Sequence, residues 1–160
     1  MGKKPPGATP GIVELQRSGV PFMVHEFASA GERNYALAAA SALGVEAGRV
    51  FKTLVAMADG RPVVGIVPAD RQLSLKAIAA AVGAKRAEIA EPAAAERITG
   101  YVVGGISPFG QKRRLTTVLD DSATGHPTIF VSGGRRGCDV ELAPSDLVGV
   151  LAATTAAIST

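Results

Sequence analysis

The sequence predicts an α/β fold of the mixed α+β kind, in which roughly six or seven strands form a mixed sheet covered by about five helices. Apolar runs of strand length alternate along the chain with Ala-rich segments of helical spacing. Two of those runs, 50–59 and 62–70, are joined by Asp59-Gly60, a dipeptide typical of tight hairpins. An antiparallel pair together with helices inserted between other strands favours a mixed sheet.

The first half of the chain predicts a helix, a strand and a second helix before the hairpin. Ile12 and Leu15 give residues 11–20 a helical spacing, and Gly19 is a suitable end. Residues 21–27 alternate enough to form a strand, and the Ala-rich helix 35–45 closes at Gly44.

The second half predicts helices and strands in mixed order. The expected helices are 73–84, a short one within 87–100 with Pro92 in its first turn, and a terminal helix at 144–159. The expected strands are 101–107, 113–122, 127–134 and 138–144.

Length and composition indicate one globular domain. The chain has 160 residues, of which 47% are apolar and 19% charged, so we expect a single domain at 10–160 after a flexible leader at 1–9. The net charge of +3 and the pI of about 9.3 permit a polyanionic partner without requiring one. The lone Cys138 forms no internal disulfide, which suits a reducing compartment.

The sequence shows no membrane-spanning segment and no export signal. The apolar stretches are too short to cross a membrane, because Gly, Pro or charged residues interrupt them. The N-terminal stretch MGKKPPGATPG lacks the apolar core of a signal peptide. We therefore expect a cytoplasmic protein with no membrane partner; its oligomeric state is not predicted.

The stretch GGISPFGQKRR at 104–114 is the most distinctive loop. Gly105 and Gly110 have the separation of a phosphate-binding P-loop, but Gln111 stands where that motif has its lysine. Pro108 also removes a backbone N–H that a phosphate cradle would use. The pattern alone leaves open a ligand-binding loop and a glycine turn with a basic, solvated edge.

The residue types of metal and nucleophile sites are scattered. His25 and His126 have no Cys or carboxylate at ligand spacing, and no G-x-S-x-G elbow surrounds any serine. Cys138 has no neighbouring base in sequence and is interpreted as a small strand residue. The sequence thus predicts neither a metal nor a cofactor.

Three predicted strand ends combine small or hydroxyl residues with cations. They are Lys52-Thr53, Gly104 to Ser107 with Lys112, Arg113 and Arg114, and Ser132 to Gly134 with Arg135 and Arg136. Glycines permit close approach of a ligand to the backbone, and cations attract phosphates. We expect an anionic ligand if these ends meet in space.

Four segments, taken in order, resemble the YbaK/EbsC family of bacterial proteins that hydrolyse misacylated tRNA. They are VFKTLV (50–55), LKAIAAAVGAKRAEIAEP (75–92), TGYVVGGISPFGQKRRL (99–115) and VSGGRRG with VELAPSDLV (131–148). The resemblance extends from about Pro10 to Leu151. It implies a strongly bent mixed sheet surrounded by helices, similar to the editing domain associated with prolyl-tRNA synthetases.

The resemblance also implies a substrate and a mechanism. The family's usual substrate is tRNA(Pro) charged with cysteine, and the motif spacing favours that branch over the alanine-removing one. The substrate's own thiol is thought to attack its ester and leave as a thiolactone, so no protein nucleophile is needed. The implied partners are the aminoacylated acceptor end of tRNA and, as a further candidate, prolyl-tRNA synthetase.

Site residues follow from the resemblance position by position. The implied catalytic residues are Lys52, which would hold the terminal phosphate or ribose, together with Gly105 and Ser132. The implied substrate-binding residues are Tyr35, Thr53, Gly104, Ser107 and Asp139. The cations expected along the tRNA are Lys112, Arg113, Arg114 and Arg136.

The chain departs from the family pattern at three positions. Phe27 replaces a frequent tyrosine, and Ala36 and Ala38 replace a Gly and a Glu that are frequent there. These departures keep two alternatives open: a deacylase for alanyl- or another small aminoacyl-tRNA, and a non-catalytic regulator that binds tRNA or nucleotide.

Overall fold

The computed structural model describes residues 8–28 and 34–160. The α-helices are α1 (Pro10–Ser18), α2 (Tyr35–Leu43), α3 (Leu75–Ala81), α4 (Pro92–Thr99) and α5 (Pro144–Leu151). The strands are β1 (Met23–Glu26), β2 (Phe51–Ala58), β3 (Arg61–Pro68), β4 (Ala87–Ile89), β5 (Thr116–Asp120), β6 (Ile129–Arg135), β7 (Cys138–Leu142) and β8 (Thr154–Ala156). Short 3₁₀ turns lie at Ala47–Arg49 and Asp121–Gly125. The mixed α+β class is confirmed; most of the expected leader, residues 1–7, lies outside the described residues.

The strands form two sheets where the sequence predicted one. An antiparallel sheet has the order β1-β7-β6, and a mixed sheet has the order β4-β2-β3-β5-β8. In the mixed sheet β5 runs parallel to β3 and β8, while β2 is antiparallel to β3 and β4. A parallel bridge between Val50 and Phe130 joins the two sheets just before β2. The short strands β4 and β8 were not expected.

The predicted hairpin between β2 and β3 is confirmed. Asp59 and Gly60 form its turn with φ of 49° and 79°, the left-handed pair that a type I′ turn requires. The Asp59 carboxylate accepts hydrogen bonds from the backbone N–H groups of Lys85 (2.9 Å) and Arg86 (3.1 Å). These bonds lower the pKa of Asp59 and place the chain for β4.

The strand predicted at 101–107 is wrong, because this segment is a loop held by side chains. The Tyr101 hydroxyl donates to the Phe109 carbonyl (2.6 Å), and the Phe109 N–H donates to Ser107 Oγ (3.1 Å). Glu14 on α1 accepts from the Gly110 N–H at 3.0 Å. Gly104, with φ of 90°, turns the backbone out of the extended region. The loop thus satisfies its polar groups without a strand partner.

The terminal helix predicted at 144–159 ends at Leu151. Ala152 takes a left-handed φ of 52°, and the β-branched Thr154 and Thr155 then extend into β8. The Asp120 carboxylate accepts from the N–H groups of Ile158 (2.9 Å) and Ser159 (3.0 Å), which fastens the tail beside β5.

The largest hydrophobic cluster packs the two sheets against α1, α5 and the 101–115 loop. Its fully buried members include Leu15, Phe109, Leu119, Ile129 and Leu147. Thr9 is also buried: its hydroxyl accepts from the Ile12 N–H and donates to the Gly133 carbonyl. This contact fixes α1 against β6 and holds the glycine-rich end of β6 in place.

Candidate active site

A cavity of about 400 Å³ lies between β2, α2, α4, the β6–β7 turn and the loop at 103–106. Seven of the predicted site residues line it: Tyr35, Lys52, Thr53, Gly104, Ser132, Arg136 and Asp139. The size falls in the range typical of small-ligand pockets, about 300–1,000 Å³. The structure therefore brings parts of all three predicted strand ends to one place.

Lys52 lies on β2 with its side chain half-buried at the cavity. No salt bridge or hydrogen bond reaches its ammonium from the described residues. Burial lowers the pKa of Lys52, and the nearby charge of Asp70 offsets part of that effect. An anion bound in the cavity would supply the missing partner.

Thr53, the next residue of β2, carries an unpaired buried hydroxyl. The residue is in the cavity lining and 8% exposed, and its Oγ1 has no hydrogen-bond partner within residues 8–28 and 34–160. Buried hydroxyl groups are nearly always paired, because an unpaired one costs about 1–3 kcal/mol. A lining residue of the cavity thus carries one buried polar atom that no described residue satisfies.

Asp139 is the acidic residue of the cavity lining. It lies on the central strand β7, opposite His25 of β1 and Ser132 of β6, and is 6% exposed. Burial raises the pKa of Asp139 to about 6, although His25 opposes the shift. The carboxyl group therefore changes charge just below neutral pH, and a cationic group in the cavity would favour its ionised form.

His25 and Ser132 are each held by other groups. His25 Nε2 lies 2.8 Å from Glu141 Oε1, and Ser132 Oγ accepts from the Gly134 N–H at 3.2 Å. No Ser–His pair of the serine-hydrolase type is therefore formed between these two residues. Within the described chain no group of three or more His, Cys, Asp or Glu side chains could hold a metal ion.

Glycines form the wall nearest the β6–β7 turn. A Cβ on Gly104 would lie 2.6 Å from Tyr35 Cδ2 and 2.8 Å from Arg136 Nε. A Cβ on Gly105 would lie 2.8 Å from the Arg135 Cα. Gly104 lines the cavity, whereas Gly105 packs behind it against the backbone of the turn. The catalytic role of Gly105 stays a prediction.

The remaining predicted residues lie elsewhere. Ser107 is fully buried inside the loop and does not line the cavity. Lys112, Arg113 and Arg114 line a separate polar depression of about 190 Å³, where Arg114 pairs with Glu14 at 3.2 Å. Their contact with tRNA stays a prediction.

The three departures from the family pattern all face the cavity. Phe27, Ala36 and Ala38 are among its lining residues. Sequence reasoning missed several apolar lining residues, namely Leu54, Val55, Ile89, Pro92, Ala95, Val103 and Ile106. In the sequence they resemble ordinary core residues, so their spacing did not indicate that they line a cavity.

The cavity lining combines a half-buried ammonium, a guanidinium, a buried carboxyl group and three hydroxyl-bearing residues on a largely apolar wall. Such a set can bind an ester whose two ends carry opposite charge. No helix of the described residues is long and apolar enough to cross a membrane.

Comparison with known proteins supports an editing role. The family model described as "Aminoacyl-tRNA editing domain" matches residues 32–150. EbsC of Enterococcus faecalis, named for a proposed deacylase activity on Cys-tRNA(Pro) and Cys-tRNA(Cys), is 36% identical over 99% of this chain and 97% of its own. The multifunctional Ser/Thr-tRNA deacylase ProXp-y of Escherichia coli K12 is 32% identical over 68% of this chain and 66% of its own.

A solved structure agrees with these relatives. The crystal structure of a candidate trans-editing enzyme for prolyl-tRNA synthetase superposes with a TM-score of 0.85 at 25% identity, over 99% of both chains. The resemblance stated from the sequence motifs is thereby confirmed. The chain belongs to the YbaK-type aminoacyl-tRNA editing domain family, a family of aminoacyl-tRNA deacylases.

Proposed function

We propose that this protein is a trans-editing deacylase that hydrolyses Cys-tRNA(Pro). The observation that carries the proposal is the convergence of Lys52, Thr53, Ser132 and Asp139 on one cavity. The full-length similarity to EbsC, which is named for a cysteine substrate, supports the choice of amino acid. Residues 10–160 would form a single editing domain, acting in the cytoplasm on tRNA released by prolyl-tRNA synthetase.

The physical need for such an enzyme lies in the synthetase. A pocket shaped for proline rejects a residue of similar or smaller size weakly, since one methylene contributes only about 1–3 kcal/mol. A second site that acts after aminoacylation can remove the wrong amino acid from the tRNA.

In the proposed complex the cavity holds the two charged ends of the aminoacyl ester. The Asp139 carboxylate binds the α-ammonium of the amino acid, which favours the ionised form of this buried group. Lys52 binds the phosphate or ribose of the terminal nucleotide and regains an anionic partner. The unpaired Thr53 hydroxyl bonds a polar atom of the aminoacyl group.

The reaction uses the substrate's own thiol. The cysteine sulfur attacks the ester carbonyl carbon, a C–S bond forms, and the C–O bond to the ribose breaks. The thiol proton passes to the departing ribose oxygen, so the products are free tRNA and a cyclic thiolactone that water then opens to cysteine. The protein contributes positioning, exclusion of water and electrostatic stabilisation.

A second candidate is a deacylase for seryl- or threonyl-tRNA. The similarity to ProXp-y favours it. The Thr53 hydroxyl could bond the hydroxyl of such a side chain as well as it could bond other polar atoms. In that case the step would need water as the nucleophile.

One assay separates these possibilities. Purified protein is incubated with tRNA(Pro) charged with Cys, Ala or Pro, and with seryl- and threonyl-tRNA, and the remaining ester is counted over time. Loss of Cys alone supports the proposal. Preferential loss of Ala, Ser or Thr assigns another substrate, and retention of every ester with measurable tRNA binding indicates a regulator.

A further inference from the structure

We infer that Arg136 is a positioning residue that clamps two walls of the cavity together, and that its planar guanidinium, more than its charge, is what the reaction requires. The inference rests on the proposed function for its kinetic consequence. It differs from the expectation that Arg136 serves chiefly as a contact to the tRNA backbone.

The first evidence is a forked hydrogen bond. Arg136 stands in the turn between β6 and β7, and its Nε and Nη2 both donate to the Val103 carbonyl, at 3.0 and 2.7 Å. Val103 and Gly104 line the cavity. Arg136 therefore ties the sheet that carries Ser132 to the wall of the glycine loop.

The second evidence is a stacking contact on the same guanidinium. Its central carbon lies 4.5 Å from the centroid of the Tyr35 ring, at the start of α2. A cation over an aromatic face at this distance is attracted electrostatically to the electron-rich ring. One side chain thus contacts both α2 and the glycine loop, and all three elements border the cavity.

Gly104, the Tyr35 ring and the Arg136 guanidinium are closely packed against one another. Any side chain at Gly104 would collide with both the Tyr35 ring and Arg136 Nε, since its Cβ would lie 2.6 and 2.8 Å from them. The three groups therefore pack as a unit. Because Gly104 borders the cavity, a loosened clamp would let this wall and the Tyr35 ring move relative to a bound ester.

Lysine cannot replace these contacts. A lysine keeps the charge but has no planar fork to donate twice to one carbonyl while its face lies on a ring. If Arg136 only attracted phosphate, lysine would suffice, and loss of the charge would raise KM and weaken the salt dependence. If it positions the wall, lysine and alanine would both lower kcat.

The kinetic test compares Arg136→Lys and Arg136→Ala with Arg17→Lys, a matched change at an exposed arginine of α1. On Cys-tRNA(Pro), the clamp predicts that both Arg136 variants lose about tenfold or more in kcat, with KM changed by less than about twofold. Arg17→Lys should match the unmodified protein. Near-normal kcat in Arg136→Lys, or a loss confined to KM, would overturn the inference.

A spectroscopic test works without substrate. The chain contains two tyrosines and no tryptophan, so ring-labelled tyrosine gives two NMR signals that a Tyr35→Phe sample assigns. Arg136→Lys should shift the Tyr35 signal and leave the Tyr101 signal where it is. The unchanged Tyr101 signal also shows that the variant is still folded. An unmoved Tyr35 signal contradicts the clamp. Since this readout needs no activity, it stays decisive even if the protein hydrolyses none of the esters.

Discussion

Asp139 lies directly opposite Ser132 across the β6–β7 pair, and both residues line the cavity although Asp139 is almost wholly buried. The polar end of the site is therefore built by the register of two neighbouring strands. The carboxyl group lies where burial opposes its charge, so its charge should cost stability in the absence of ligand.

Asp139→Asn should stabilise the unliganded protein and impair hydrolysis. The native pKa of about 6 lies above the ordinary 3.8, so the folded state holds this proton more tightly and stability falls as pH rises through that window. At pH 8 the variant should unfold with a free energy higher by up to about 3 kcal/mol, and near pH 4 the two proteins should converge. Urea titrations at both pH values measure this.

The same substitution has a kinetic signature. Loss of a charged partner for the α-ammonium should lower kcat/KM about tenfold to a hundredfold at pH 7.5. In the unsubstituted protein, kcat/KM should fall as pH drops below about 6, where the Asp139 carboxyl group becomes protonated. A variant that is both less stable at pH 8 and fully active would refute the role given to this residue.

Thr53→Val should be tolerated by the fold but not by the reaction. Valine has nearly the same shape and removes a buried hydroxyl without a partner, so the free energy of unfolding should stay equal or rise by about 1 kcal/mol. Thr117→Val is the matched control, because its buried hydroxyl donates to the Leu115 carbonyl at 3.0 Å. That control should lose about 1 kcal/mol. Thermal unfolding compares the two, and unchanged deacylation by Thr53→Val would count against a substrate contact.

Lys52→Ala should abolish most hydrolysis without destabilising the protein. Loss of the charge that holds the terminal phosphate or ribose would misplace the ester, which costs on the order of a hundredfold or more. The ammonium is half-buried and has no described ion pair, so the melting temperature should not fall. Lys76→Ala, at an exposed lysine of α3, is the control. Activity within a few-fold of normal in Lys52→Ala would show that this lysine is not essential.

Asp120→Asn should weaken the fold away from the cavity. Burial alone would raise the pKa of Asp120, but hydrogen bonds from Ser122, Ile158 and Ser159 outweigh it and lower the pKa below its ordinary value. A lowered pKa gives stability above about pH 4 that is lost as pH falls through the native pKa. The variant should be less stable by about 1–3 kcal/mol at pH 7, with a smaller difference at pH 3. Equal stability at pH 7 would contradict this anchoring role.

Local signals predicted much of the fold. The Asp59-Gly60 dipeptide marks the β2–β3 hairpin because only a few residues accept two left-handed positions in succession. The segment 101–107 was wrongly predicted as a strand because YVV has strand propensity. In the structure the Tyr101 and Ser107 hydroxyl groups form hydrogen bonds with the backbone of Phe109, in place of a neighbouring strand. The end of α5 depends on the left-handed Ala152, for which composition gave no sign.

The site was harder to predict than the fold, because it depends on how strands that are distant in sequence pair with one another. Family motifs pointed to Lys52, Ser132 and Asp139, but only the Val50–Phe130 bridge and the pairing of β6 with β7 explain why they meet. The basic run 112–114 looked continuous with the glycine loop, yet the compact turn around Phe109 directs it to another depression. The double contact of Arg136 was likewise beyond any sequence spacing.

The most direct test of thiol-assisted editing replaces one atom of the substrate. The same tRNA(Pro) is charged with cysteine or with serine, and single-turnover release is measured with the unmodified protein and with Lys52→Ala. The proposal predicts rapid release of cysteine, release of serine near the uncatalysed rate, and loss of cysteine release in the variant. Release of serine as fast as cysteine would contradict it, because a hydroxyl does not supply the thiol nucleophile.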